Sequence, residues 1–121
     1  MTCPVDQDLC ALDNGDTWIF DFLFKDNAGA AIDISGQELV YQMKLNKSTP
    51  DSDDGSGIDS TDLFASVTFP SDASSVAGEG QMVIAKTETT GVTIGRNYYF
   101  EFRLLNGGQR FTVGKGQVQV V

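Results

Sequence analysis

From Trp18 onward the chain alternates: Trp18, Phe20, Phe22 and Phe24 take every second position, with Ile19, Asp21, Leu23 and Lys25 between them. A period of two places all four rings on one face of a pleated strand over residues 17–25, and such a face has to be covered. The same rhythm returns in residues 38–45, where Leu39, Tyr41, Met43 and Leu45 alternate with Val40, Gln42 and Lys44. It returns again in residues 63–69 with Leu63, Ala65, Val67 and Phe69, and in residues 81–86 with Met82 and Ile84. Residues 96–105 set Tyr98, Phe100, Phe102 and Leu104 against Tyr99, Glu101 and Arg103. Two short strands, residues 109–113 and 116–121, close the series, with Gly114-Lys115-Gly116 marking a bulge or kink between them. Turn signals punctuate the runs: Asp26-Asn27-Ala28-Gly29, Ser35-Gly36, Pro70 and Asn106-Gly107-Gly108.

Seven strands at this spacing predict an all-β fold, an immunoglobulin-like antiparallel β-sandwich of about seven strands. A small closed barrel is the alternative, since alternation does not distinguish two stacked sheets from one wrapped sheet. The first and fifth strands are expected to face one core. Residues 87–95 leave room for little more than one helical turn, with Val92 and Ile94 tucked under the end of the sandwich. Residues 46–61 turn polar around Pro50 and the run Asp51-Ser52-Asp53-Asp54-Gly55-Ser56-Gly57, and read as a long, exposed, solvated loop. With 121 residues in all, the chain divides into an extended N-terminal arm, residues 1–12, and one sandwich domain, residues 13–121.

Charge narrows the partners. Seventeen acidic against eight basic side chains leave a net charge of −9, a field that repels phosphate backbones and anionic lipid, so neither nucleic acid nor membrane is expected. The opening residues Met1-Thr2-Cys3-Pro4 have neither a basic nor an apolar leader character, and release in a cytoplasm is the expectation. Cys3 and Cys10 leave a disulfide and two reduced thiols both open. Without any histidine they supply too few soft ligands for a metal site.

The missing histidine also removes Ser-His-Asp and Cys-His catalysis. Asp21 and Glu101 are the acids set inside aromatic strands, and both alternate away from the aromatic face, as solvated charges within reach of Arg103, Lys25 or Lys44. The sequence therefore offers no catalytic residue and no cofactor site. The one segment with metal-ligand character is the Asp-rich loop, where Asp51, Asp53, Asp54 and Asp59 are the candidates for calcium. Its spacing departs from the calcium-loop template, because Gly55 stands at a ligand position and no Glu closes the loop. The glycine pairs Gly78-Glu79-Gly80 and Gly114-Lys115-Gly116 neither carry the Lys-Ser/Thr pair of a phosphate loop nor lead into a helix, and they read as turns. Trp18, Tyr98 and Tyr99 form a sugar-stacking platform only if exposed, and period two assigns them to the core.

Several phrases together resemble a known pattern. Gly15-Asp16-Thr17-Trp18, the turn Lys25-Asp26-Asn27-Ala28-Gly29, Ile32-Asp33-Ile34-Ser35-Gly36, the strand Tyr98-Tyr99-Phe100-Glu101-Phe102-Arg103 and the ending Gly116-Gln117-Val118-Gln119-Val120 are similar to the small β-sandwich domain of tailed-bacteriophage virion proteins. That group includes the N-terminal domain of baseplate upper proteins and related neck, tail and head-fibre proteins. The resemblance runs from Leu12 to the end; the first ten residues and the Asp-rich loop depart from it. It implies a non-enzymatic structural component of a virion, a capsid decoration or a tail or baseplate accessory, present as a symmetric homo-oligomer or in many copies among capsid, neck, tail or baseplate subunits. Docking is expected through the strand edge at residues 116–121 and the N-terminal arm. A carbohydrate-binding or host-adhesion module, using the aromatics or the Asp-rich loop, is the alternative.

Overall fold

The computed structural model describes residues 10–58 and 62–121, and within them the chain is nearly all β. Seven strands form: β1 (Cys10–Leu12), β2 (Trp18–Leu23), β3 (Glu38–Lys44), β4 (Leu63–Thr68), β5 (Glu79–Ile84), β6 (Asn97–Asn106) and β7 (Gln109–Val120). Five of them make one sheet in the order β1-β7-β6-β3-β4, and β2 pairs with β5 in a second. The result is the expected all-β sandwich. Two single-turn helices interrupt it, α1 (Ala73–Val76) and α2 (Lys86–Thr89); the second is the one turn that residues 87–95 allowed. The first comes from Asp72, whose carboxylate accepts the Ser75 N–H at 2.9 Å and caps a turn in a segment that reads as loop.

Aromatic alternation decides the core. Trp18, Phe20, Phe22 and Phe24 are all buried on the inner face of the small sheet. They meet the large sheet at Phe102, whose ring lies 5.0 Å from Phe20, 5.0 Å from Phe22 and 4.5 Å from Tyr41. Edge-on and tilted contacts of this kind add to the burial of the rings themselves. β2 and β6 thus face one core, as the matching alternation suggested. Trp18 has no exposed surface, and its indole N–H donates to the Asp13 carbonyl at 2.8 Å.

Three details differ from the sequence reading. Residues 109–120 run as one strand, because the irregularity at the glycines is a bulge that places Val113 opposite no residue of β6 between the pairs Phe102↔Gly114 and Arg103↔Thr112. The end of the assigned arm is a strand: β1 runs parallel to β7 with Cys10↔Val118 and Leu12↔Val120, and Leu12 is buried in the core. Val92 tucks under the sandwich, but Ile94 does not and is 62% exposed. The turn there is tied instead by Thr93 N–H donating to the Tyr98 hydroxyl at 2.8 Å and by Gly95 N–H donating to the Val120 carbonyl at 2.7 Å.

Two glycines show why the turns carry the residues they do. Gly78 has φ +77°, and a Cβ there would collide with the Phe24 carbonyl and lie 3.0 Å from the Ile32 carbonyl. Gly80 faces the Phe69 ring, which would stand 2.6 Å from an added Cβ. Both positions let α1 and β5 lie directly against the core.

Candidate functional site

Every second residue of β3, β6 and β7 points away from the core, and this outer face collects Gln42, Lys44, Glu101, Arg103, Arg110 and Lys115. Polar side chains on an outer face are ordinarily wet. Here Gln42 and Arg103 are buried, as is Val40 beside them, because the loop after β3 folds back across the sheet. The loop expected to be solvated is a lid over this face, with its own Thr49 and Ser52 buried.

Arg103 organises the contact. Its Nη2 donates to the Ser52 carbonyl and, at 3.2 Å, to Gln42 Oε1; its Nε donates to Asp53 Oδ1 at 3.1 Å. Gln42 grips the same loop from the next strand, donating Nε2 to the Pro50 carbonyl at 3.2 Å and accepting the Ser52 N–H at 2.9 Å. Arg110 closes on the other oxygen of Asp53 at 2.6 Å. Lys44 reaches Asp51 at 2.7 Å and the Thr49 carbonyl at 2.6 Å. That hydrogen bond holds the Asp51 carboxyl below its usual range, with the Lys44, Arg103 and Arg110 charges adding to it and partial burial opposing it.

Three of the four candidate calcium ligands are therefore engaged with the protein itself. Asp51 and Asp53 pair with cations, and Asp54 accepts from Ser52 Oγ at 3.2 Å, from Ser56 N–H at 2.9 Å and from Ser56 Oγ at 2.6 Å. These serine hydrogen bonds lower the Asp54 pKa. Asp59 lies outside the described residues. Among those described, no three acidic or cysteine side chains converge as metal ligands do. The Cys3–Cys10 disulfide also falls outside, since Cys3 is not described.

The remaining candidates separate in space. Asp21 is on the exposed face of the small sheet and accepts from Gln81 Nε2 at 2.8 Å. Glu101 is on the opposite side of the sandwich, where Oε1 accepts from Thr112 at 3.1 Å. Two carboxylates on opposite outer faces do not act on one bond. Trp18 and Tyr98 are fully buried and offer no ring to a sugar; Tyr99 is half-buried, with Lys47 Nζ 5.8 Å from its ring centre. The cluster around Arg103 is what the sequence reading missed. Its signal was present: five of the eight basic residues, Lys44, Lys47, Arg103, Arg110 and Lys115, surround the face onto which an acid-rich loop folds.

Fold and cluster together define a β-sandwich domain in which Lys44, Arg103 and Arg110 of the outer face hold a loop. No protein-family model matches the chain, and no curated protein matches it. A solved structure, the N-terminal domain of phage TP901-1 ORF48, aligns over 99% of this chain and 98% of that one, at 15% identity and a TM-score of 0.45. A score at that level does not establish a shared fold, and the identity transfers no residue role.

Proposed function

We propose that this chain is a non-enzymatic structural component of a tailed-phage virion, a capsid decoration or a tail or baseplate accessory carried in several symmetric copies. One observation carries the reading: the phrases that resemble phage virion domains hold architectural positions. Gly15 takes φ +83° ahead of the buried Trp18. Asp26 Oδ1 accepts the N–H groups of Ala28 and Ala30, both at 2.9 Å, and Gly29 follows with φ +84°. Ile34 is buried and Gly36 reverses the chain at φ +75°. Tyr98, Phe100, Phe102 and Arg103 are buried parts of β6. Residues that serve shape suit a domain whose work is attachment. No cofactor enters this reading.

Attachment would use main-chain edges and apolar surface. β7 pairs with β6 on one side and, on the other, with β1 over Val118–Val120 alone, so among the described residues no strand covers that second side of residues 109–117. The small sheet has only two strands, and Leu23 and Val83 stand 57% and 54% exposed on it. Open edges of this kind accept a neighbour's strand. The test is co-purification with particles of the full chain and of a chain lacking residues 1–9, which retains β1 and its buried Leu12. Particle association of the full chain supports the reading, and its loss on truncation assigns docking to the arm. Full-chain protein that never sediments with particles contradicts the reading; unchanged incorporation of the shortened chain removes the arm from it.

A further inference from the structure

Beside the ion cluster a groove of about 590 Å³ opens on the outer face, with Lys44, Lys47, Tyr99, Lys115 and Gln117 in its walls. Three ammonium groups around one concavity run against the sign of a chain whose net charge is −9. Lys44 is compensated internally by Asp51 and the Thr49 carbonyl. Lys47 and Lys115 are exposed, and neither forms an ion pair among the described residues.

The acid nearest Lys115 in the ladder is Glu101, its cross-strand partner. That carboxylate is already engaged, accepting from Thr112 and standing 3.8 Å from Arg103 Nη1. Arg103 Nη1 is itself buried without a hydrogen-bond partner, 3.7 Å from Asp51 Oδ1, and both of these acids line the groove. Uncompensated positive charge thus remains on the rim at Lys47 and Lys115, while the Arg103 charge behind the wall is met by Asp51, Asp53 and Glu101 and only its Nη1 donors lack a hydrogen bond.

We propose that this groove is an interaction surface for an acidic segment of a partner protein. The lining is mixed, and a peptide matches both parts of it. Side-chain carboxylates meet Lys47 and Lys115, while backbone N–H groups supply donors for the free lone pairs of Asp51 and Glu101. A phosphodiester strand has dense negative charge and no backbone donors, so those two acids and the field of the whole molecule oppose it. The proposal stands on the groove alone and is independent of the virion reading.

The test is a titration of the isotopically labelled full chain with an acetylated, amidated hexaglutamate peptide at low ionic strength, followed by amide chemical shifts. The expected result is a set of shifts at Lys47, Tyr99, Lys115 and Gln117 that weakens as salt is raised. In the Lys47→Glu/Lys115→Glu variant the affinity falls by about tenfold or more, and in Lys47→Gln/Lys115→Gln by less, with the rest of the spectrum unchanged. A Lys25→Glu/Lys86→Glu variant, altered away from the groove, binds as the parent does. Absence of shifts at the groove, equal loss in both charge-reversal variants, or tighter binding there of a single-stranded oligonucleotide of equal charge overturns the proposal.

Discussion

Arg103 and Asp53 meet at 3.1 Å, Nε to Oδ1, and this contact joins the middle of the large sheet to a loop that is fifty residues earlier in the chain. Arg103 has no exposed side-chain surface, whereas Asp53 is 35% exposed and shares its second oxygen with Arg110. The arginine is the buried partner, so its removal has the larger consequence. Arg103→Met takes the donors away from Gln42 Oε1 and the Ser52 carbonyl beneath the lid. A loss of about 2–4 kcal/mol is expected in urea unfolding followed by Trp18 fluorescence. Arg103→Lys should recover less than half of it, since an ammonium cannot present the Nε and Nη2 donors together. A methionine variant as stable as the parent would show that Gln42, Lys44 and Arg110 hold the lid without Arg103.

Gly78 and Gly29 separate crowding from backbone strain. Both have positive φ, +77° and +84°, but a Cβ at Gly29 meets open space while one at Gly78 meets the Phe24 carbonyl. Gly29→Ala should cost about 1 kcal/mol and Gly78→Ala more than about 2 kcal/mol, measured by thermal or urea unfolding. Equal costs would mean that the approach of α1 and β5 to Phe24 is looser than described.

Phe102 touches Phe20, Phe22, Tyr41 and Phe100 and is the residue where the two sheets meet. Phe102→Ala removes a ring from a site lined by four others, and about 3–5 kcal/mol of stability should go with it. Phe111, 48% exposed on β7, is the control; its alanine variant should unfold within about 0.5 kcal/mol of the parent.

Acid should loosen the lid first. The Asp51 carboxyl is lowered in the folded chain from 3.8, so the folded state binds fewer protons there than the unfolded state does. The resulting stabilisation is present in full above the unfolded value and is lost as pH falls through the folded one. Protection of the amides in residues 46–58, taken relative to their intrinsic exchange rates, should therefore fall below about pH 4, before that of the core strands. Asp51→Asn should remove part of that pH dependence. A slope that Asp51→Asn leaves unchanged would assign the acid sensitivity to other carboxylates.

Much of this was legible in the residue pattern. Period-two aromatics gave β2, β3 and β6 and the rings that cross the core, because a strand buries alternate residues wherever a second layer covers it. β1 was hidden for the opposite reason: Cys10-Ala11-Leu12 is too short to show a period, and its pairing with Val118–Val120 is a contact across nearly the whole chain. The lid was hidden by composition. Ser, Asp and Gly read as solvent-facing, and only the cations on β3, β6 and β7 reveal that the acids of this loop have partners. Arg103 alternates as an outward residue, where the pattern offers it only a cross-strand acid as partner; it is the loop, not the strand, that buries it.

Quantitative mass spectrometry of gradient-purified particles from the host carrying the gene tests most directly the proposal that this sandwich is part of a phage particle. The chain is expected at a fixed ratio to the capsid or tail proteins, unchanged by high-salt washing and by a second gradient. A chain abundant in the lysate but absent from the particles, or present at a ratio that drifts with each wash, would contradict it.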